Sequence, residues 1–267
     1  MKIGFLITAR LKSSRLKLKL LKQLNGYTVI DRIIQRAKEV EECHEIILCT
    51  SKNNQDLPLV RIAQKNNIYY FNGNADDVLN RLNDASKLFN LDYAICMTVD
   101  NPLFSVHYAN LISDYLRKNP EIDFNFTDEL PIGVNVYALK TKALETICAI
   151  KEEVDTEIWG SLINRPEVFN VKKISVNNSD KIDVKRITLD EQEDYEFLRQ
   201  IFNRFPKKHL INEQDIQETL ENFPDLKEIN SHIIQRSLEK IVSDRIDKFF
   251  LQKKEEIFSI KNKIYSR

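Results

Sequence analysis

The sequence predicts an α/β protein built on a mostly parallel sheet. Two observations carry that prediction. Through the first half, strand-like runs alternate with amphipathic helical segments. The strand runs are also continuously apolar, as strands covered on both faces by helices are.

The elements follow in order. Ile3–Thr8 reads as a strand and Val29–Val40 as a helix, with Ile30, Ile33, Ile34 and Ala37 on one face. Glu45–Ser51 ("EIILCTS") is a strand, Leu57–Lys65 a helix and Ile68–Phe71 a strand. Ala75–Leu88 is a helix, Tyr93–Asp100 ("YAICMTVD") a strand and Val106–Arg117 a helix. Asn66-Asn67 suits the left-handed end of a helix, and Pro120 follows the last of these helices at the expected distance. The middle region changes character. "DFNFT", "GVNVYALK" and "FNVKKISV" read as alternating, antiparallel strands, with helices near Thr141–Ile150 and Asp155–Asn164. "RITLD" at 186–190 returns to a strand, followed by helix Glu191–Phe205. From Asn212 the chain reads helical to its end, interrupted only at Pro224. This divides it into residues 1–210, which would hold the site, and a helical extension at 211–267.

Forty basic residues balance forty acidic ones among 267, which argues against a dedicated nucleic-acid binder. Cys43, Cys49, Cys96 and Cys148 show neither C-x-x-C spacing nor disulfide-scaffold density, and Cys49 and Cys96 fall in core-like strands. Cys43 beside His44 is too little for a metal site. With a strand starting at residue 2, no signal peptide is expected, and no apolar run approaches the roughly 18 residues of a membrane span. The expected setting is a reducing cytoplasm, with no membrane partner.

In an open parallel sheet, ligands bind beyond the carboxyl ends of the strands. That rule selects Ala9–Lys19, Thr50–Asn54, Asn72–Asp77 and Asp100-Asn101-Pro102. The first is cationic and the last begins with a carboxylate, the pairing that a polyphosphate with a carboxylate-bound Mg²⁺ requires. Gly4, Gly26, Gly73, Gly133 and Gly160 cannot form G-x-x-x-x-G-K-[ST] or G-x-G-x-x-G, so P-loop and dinucleotide readings fall. Any phosphate loop here must work mainly through side chains.

These residues also resemble a family. "ARLKSSRLKLKLL" resembles the signature A-R-x-x-S-x-R-L-P-x-K of the CMP-sugar synthetase-like cytidylyltransferases, especially the spore-coat polysaccharide (SpsF-type) branch. "CTSKNNQDLPL", "FNGNADDVLNRL", "TVDNPL", "ITLDEQEDYEFLRQIF" and "LENFPDLKEINSHI" resemble further segments of that branch in the same order, over about residues 2–234. The resemblance implies a nucleotide-diphospho-sugar-transferase (Rossmann-like) sandwich that couples CTP to an acidic sugar or related hydroxyl acceptor, for surface polysaccharide, as a Mg²⁺-dependent enzyme and a homodimer. It implies that Ala9, Arg10, Ser13, Arg15 and Lys19 hold the triphosphate, with Arg10, Arg15 and Lys19 acting in catalysis. Gly73, Asp77 and Arg81 would line the nucleotide side, and Asp100 and Asp190 would bind metal. The chain departs from the pattern in three places. Lys17-Leu18 stands for Pro-Gly, Asn135 and Tyr137 replace the acids of G-x-D-x-E, and "DTEIWG" stands near the place of R-E-H-x-T.

Plainer readings stand beside these. Arg10–Lys19 fits a solvated helix face, and Asp100-Asn101-Pro102 an ordinary turn. Asp190 could cap the following helix, and Arg81 could pair with Asp77 at i, i+4. Asp194 reads as a surface or supporting acid and Trp159 as a packing residue. A nucleotide-sugar glycosyltransferase of the same fold, lacking D-x-D here, and a non-catalytic assembly protein are the alternative functions. The amphipathic segment from about Ile233 to Arg267 could cover its own domain, a second subunit or a membrane surface; its mixed charges favour protein.

Overall fold

The computed structural model describes residues 1–13 and 15–267. Its strands are β1 (Ile3–Thr8), β2 (Gln23–Leu24), β3 (Tyr27–Thr28), β4 (Glu45–Ser51), β5 (Tyr69–Gly73), β6 (Tyr93–Thr98), β7 (Phe124–Phe126), β8 (Tyr137–Lys140) and β9 (Val171–Lys173). Its α-helices are α1 (Val29–Ala37), α2 (Leu57–Lys65), α3 (Val78–Leu88), α4 (Val106–Lys118), α5 (Thr141–Ile150), α6 (Gly160–Ile163), α7 (Gln192–Arg204), α8 (Glu213–Asn222), α9 (Lys240–Gln252) and α10 (Lys254–Tyr265).

Seven strands form one sheet in the order β5-β4-β1-β6-β8-β7-β9. The strands β5, β4, β1 and β6 are mutually parallel, as their apolar runs predict. β8 runs against both of its neighbours, and β7 and β9 are parallel to each other, so β8 is the reversed strand. Side chains alternate across the central strands and sort the core. Ile3, Phe5 and Ile7 of β1 pack with Ile30, Ile33, Ile34 and Ile112 on the α1/α4 face. Leu6 packs with Leu79, Leu82, Leu144 and Ile147 on the α3/α5 face. On that second face Gly4 leaves room for Leu91, whose side chain a Cβ would meet at 2.4 Å.

A third apolar cluster joins Leu103, Ile187 and Leu189 to Phe197, Leu198 and Ile201 of α7 and to Ile216 and Leu220 of α8. The last two helices complete the second cluster: Ile246, Phe250 and Ile257 bury themselves with Leu144 and Ile163. Of the three surfaces open to the C-terminal segment, it covers its own sheet layer. Asp123 fastens it there, accepting from Lys261 Nζ at 3.0 Å and Tyr265 Oη at 2.6 Å.

Several expectations need correction. "RITLD" is extended but makes only one bridge, Ile132 to Arg186, and belongs to no sheet. "FNVKKISV" contributes just β9, which pairs parallel to β7, not antiparallel. "GVNVYALK" becomes strand only from Tyr137, because Gly133 turns the chain with φ +97°. Of Asp155–Asn164 only Gly160–Ile163 is helical. The chain beyond Asn212 is not helical throughout: residues 233–239 form an irregular strap between Asn230 and α9.

Candidate active site

The cleft at the carboxyl ends of β1 and β6 has a volume of about 360 Å³, and Ala9, Arg10, Ser13, Arg15, Lys19, Arg81, Asp100 and Asp190 all line it. Larger concavities exist, one of them about 520 Å³ at the amino ends of the strands around Met1, Tyr93 and Lys140. That one holds Lys87 against Glu145 and another holds Arg245 against Glu153, but in neither does a single cation bridge two carboxylates as Lys19 does in this cleft.

Two backbone segments create the convergence. Asp100 sits where β6 ends, and Asn101 Nδ2 donates to Thr98 Oγ1 at 2.7 Å to hold the turn. The 186–190 segment lies against that turn, because Leu189 N donates to the Asp100 carbonyl at 2.8 Å and Ile187 N to that of Ile132 at 2.7 Å. Its period of two puts Ile187 and Leu189 into the third apolar cluster and turns Thr188 and Asp190 to the cleft. Gly133 permits the close approach: a Cβ there would stand 2.6 Å from the Thr188 nitrogen.

Lys19 is the centre of the charge arrangement. Its Nζ donates to Asp100 Oδ2 at 2.9 Å, Asp190 Oδ1 at 2.9 Å and the Leu189 carbonyl at 2.8 Å. Burial alone would lower the ammonium's pKa, but Asp100 and Asp190 outweigh it and hold the group above its ordinary value. Burial likewise pulls the Asp190 carboxyl up, and Lys19, Arg15 and Arg186 overcome it and hold it below its usual range. Arg15 donates to Asp190 Oδ1 at 2.9 Å and to Glu191 Oε1 at 3.1 Å. Arg10 turns to the other rim, donating to Asp76 at 3.0 Å and to Glu157 and the Ala75 carbonyl.

A buried layer supports Asp190. Arg186 Nη2 donates to Asp190 Oδ2 at 3.3 Å and to Asp194 Oδ2 at 2.8 Å. Asp194 is fully buried and accepts the backbone N–H groups of Asp190 and Glu191 at 2.9 and 3.0 Å, and the Asn230 amide at 2.9 Å. It is therefore a supporting acid and no surface residue. Helix α7 takes Glu191, not Asp190, as its N-cap, which leaves the Asp190 carboxylate to the cleft. Arg186 was absent from the sequence-based candidates; the signal was its place one strand repeat before Thr188 and two before Asp190.

Other expected residues lie differently. Asp77 is buried and not in the cleft lining: it caps α3 through Asn80 N and pairs with Lys151 and Thr156. Arg81 does not pair with Asp77 but donates to the carbonyls of Asn74 and Ala75. Gly73 gives that arginine its space, since a Cβ would meet Arg81 Cγ at 2.7 Å. Asn135 folds back on Leu130, donating to its carbonyl at 2.7 Å and accepting its N–H at 3.2 Å. Tyr137 packs edge-on against Trp159, itself a cleft residue, with ring centroids 5.1 Å apart. The segment before Lys19 keeps a glycine-like shape without glycine, for Leu18 adopts φ +51°.

A model of the family described as "Cytidylyltransferase" matches residues 5–243. The chain belongs to the cytidylyltransferase family. Among its relatives, an uncharacterised protein of Methanocaldococcus jannaschii is 29% identical over 245 residues, 90% of this chain and 99% of that protein. The spore coat polysaccharide biosynthesis protein SpsF of Bacillus subtilis is 20% identical, covering 84% of this chain and 95% of its own length. Among solved structures, a cytidylyltransferase from Leptospira borgpetersenii superposes with a TM-score of 0.79 at 25% identity, over 89% of this chain and all of that one. CMP:2-keto-3-deoxy-manno-octonic acid synthetase complexed with CTP superposes with a TM-score of 0.63 at 15% identity, over 76% of this chain and 99% of that one. The likeness places this cytidylyltransferase in the nucleotide-diphospho-sugar-transferase fold, with its cleft at the carboxyl ends of the parallel strands.

Proposed function

We propose that the chain transfers CMP from CTP to a hydroxyl of a small acidic, sugar-like acceptor and releases pyrophosphate, as a step toward surface polysaccharide. The observation that carries this reading is the meeting of Arg15 and Lys19 with Asp100 and Asp190 in one cleft beyond the parallel strands. The names of the similar proteins support the nucleotide and the pathway class: one is complexed with CTP, another is a spore coat polysaccharide protein.

The donor chemistry fits a divalent cation, Mg²⁺ for preference. Asp100 and Asp190 offer hard oxygens that converge on one cationic point, and no group of three or more metal-ligating side chains exists among the described residues. A cation that borrows its remaining ligands from phosphate suits such a pair. Held there, it would supply Lewis-acid neutralisation of charge on the α-phosphate. The chain's own cations do the rest. Arg10, Arg15 and Lys19 bind and orient the phosphates so that the acceptor oxygen faces the α-phosphorus opposite the leaving bridge. The new P–O bond forms as the bond to the bridging oxygen breaks. Pyrophosphate and the hydroxyl proton leave, and the same cations offset the charge that gathers on the departing group.

Incubation with each nucleoside triphosphate, Mg²⁺ and a panel of 3-deoxy-ulosonic acids and sugar phosphates, assayed for pyrophosphate, tests the reading. Release should require CTP and fall about a hundred- to thousand-fold in Asp100→Asn. Failure of the wild-type protein to bind CTP in calorimetry would sink it.

A further inference from the structure

Lys19 does more in this arrangement than wait for phosphate. An ammonium has three N–H donors, and Lys19 spends all of them: on Asp100 Oδ2, on Asp190 Oδ1 and on the Leu189 carbonyl, at 2.9, 2.9 and 2.8 Å. Its side chain is only 14% exposed. The two carboxylate oxygens that would hold a divalent ion are therefore bridged by a monovalent one built into the chain.

We propose that Lys19 closes the Asp100–Asp190 position to free metal and gives it up only when a polyphosphate arrives, so that metal and nucleotide enter as one unit. The inference rests on the metal–nucleotide reading above. A divalent ion held by these oxygens would have to share them with Nζ, and two like charges crowded into a shielded site repel strongly. Lys19 must then leave. A buried ammonium moves only to new acceptors, since stranding it without counter-charge is costly. Free metal provides none. The phosphates of a nucleotide provide several, and they also draw Arg15 from Asp190, where it bonds the same Oδ1 as Lys19. Asp190 keeps its place through the exchange because Arg186 holds its other oxygen.

Mn²⁺ serves as the probe, titrated into nucleotide-free protein and read by the paramagnetic signal of the unbound ion. Wild type should bind weakly, and Lys19→Met more tightly by roughly 5- to 150-fold, the usual range of coupling between sites. Arg15→Met removes one charge from Asp190 without vacating the bridging point, so its gain should be distinctly smaller. Adding Asp100→Asn to Lys19→Met should erase the gain. Wild type binding Mn²⁺ as tightly as Lys19→Met overturns the proposal. So does an Arg15→Met gain equal to that of Lys19→Met, or a gain that survives Asp100→Asn. Should Lys19→Met not fold by circular dichroism, Lys19→Gln, which keeps a donor for Leu189, takes its place. None of these titrations contains CTP, so their outcome is separate from the calorimetric test of nucleotide binding.

Discussion

Asp190 shows how several neighbours set one residue's behaviour. Burial raises its pKa, but Lys19, Arg15 and Arg186 bring it below the ordinary carboxylate value of 3.8. A carboxyl depressed in the folded state stabilises the protein above its unfolded pKa, and that contribution disappears as pH falls through the folded value. Wild type should therefore exceed Asp190→Asn in urea stability at pH 6, and the difference should shrink as pH falls below about 4. A difference that stays constant to pH 3 would mean that the ion pairs contribute nothing. Lys19 acts in the opposite direction: its raised pKa gives stability that is complete below 10.5 and fades above it. Of the candidate residues, the cleft's cations and Asp100 were legible because charge stands out where a parallel strand ends, whereas Asp190, on a segment that joins no sheet, came only through the family resemblance. Arg186 and Asp194 were not. Their roles come from burial against one another across the start of α7, which residue type alone does not reveal.

The segment that leads to Lys19 illustrates what an element keeps when its sequence changes. Leu18 stands where the resemblance puts the second residue of a Pro-Gly pair, and it takes the left-handed conformation that suits glycine, φ +51°. For a branched side chain that costs about 1–2 kcal/mol. The side chain is about half exposed, so little burial offsets the strain. Glycine would remove the strain while adding roughly 0.5–1 kcal/mol of unfolded-state entropy. Leu18→Gly is thus expected to raise the melting temperature slightly and leave CTP affinity unchanged, as calorimetry on both proteins would show. A lower melting temperature would mean that Leu18 contributes packing not visible in its exposure. The long elements were readable for a related reason: β1, β4 and β6 are six or seven residues of nearly unbroken apolar sequence. By contrast β7 and β9 have three residues each, too short for alternation to reveal direction. The 186–190 segment alternates as a strand does, yet its place beside a turn denies it a sheet neighbour.

At the scale of the whole molecule, the C-terminal helices are part of the body that holds the cleft. Phe250 and Ile257 complete the layer behind α5, and Lys261 and Tyr265 close on buried Asp123. Between α8 and α9, Asn230 ties the chain to Asp194, and Gln235 accepts from Arg186 at 3.0 Å, so the strap touches the support of Asp190. A chain ending at Glu239 should aggregate or lose its cooperative thermal transition, because removing α9 and α10 uncovers several core side chains, each of which stabilises by about 1.5–3 kcal/mol when buried. An intact transition within a few degrees of wild type would make the helices a dispensable appendage. The mixed charge on the segment pointed toward a protein surface, but which surface depended on the distant residues of α5 and on Asp123, beyond the reach of local periodicity.

The sheet order has a consequence for solubility. Among the described residues, β9 is the last strand on its side, with one row of backbone donors and acceptors unpaired by a neighbour. Its exposed Lys172 stands on that border, and Lys173 pairs there with Asp128 and Glu129, so the border carries charges of both signs. A second molecule's strand would have to strip water from these charged side chains before any ladder could form, and charged edge strands elsewhere are guarded against aggregation in this way. At the opposite border β5 presents Tyr69 and Tyr70, both exposed and uncharged. In a crowded solution, association between molecules through strand addition would therefore begin at β5 and not at β9.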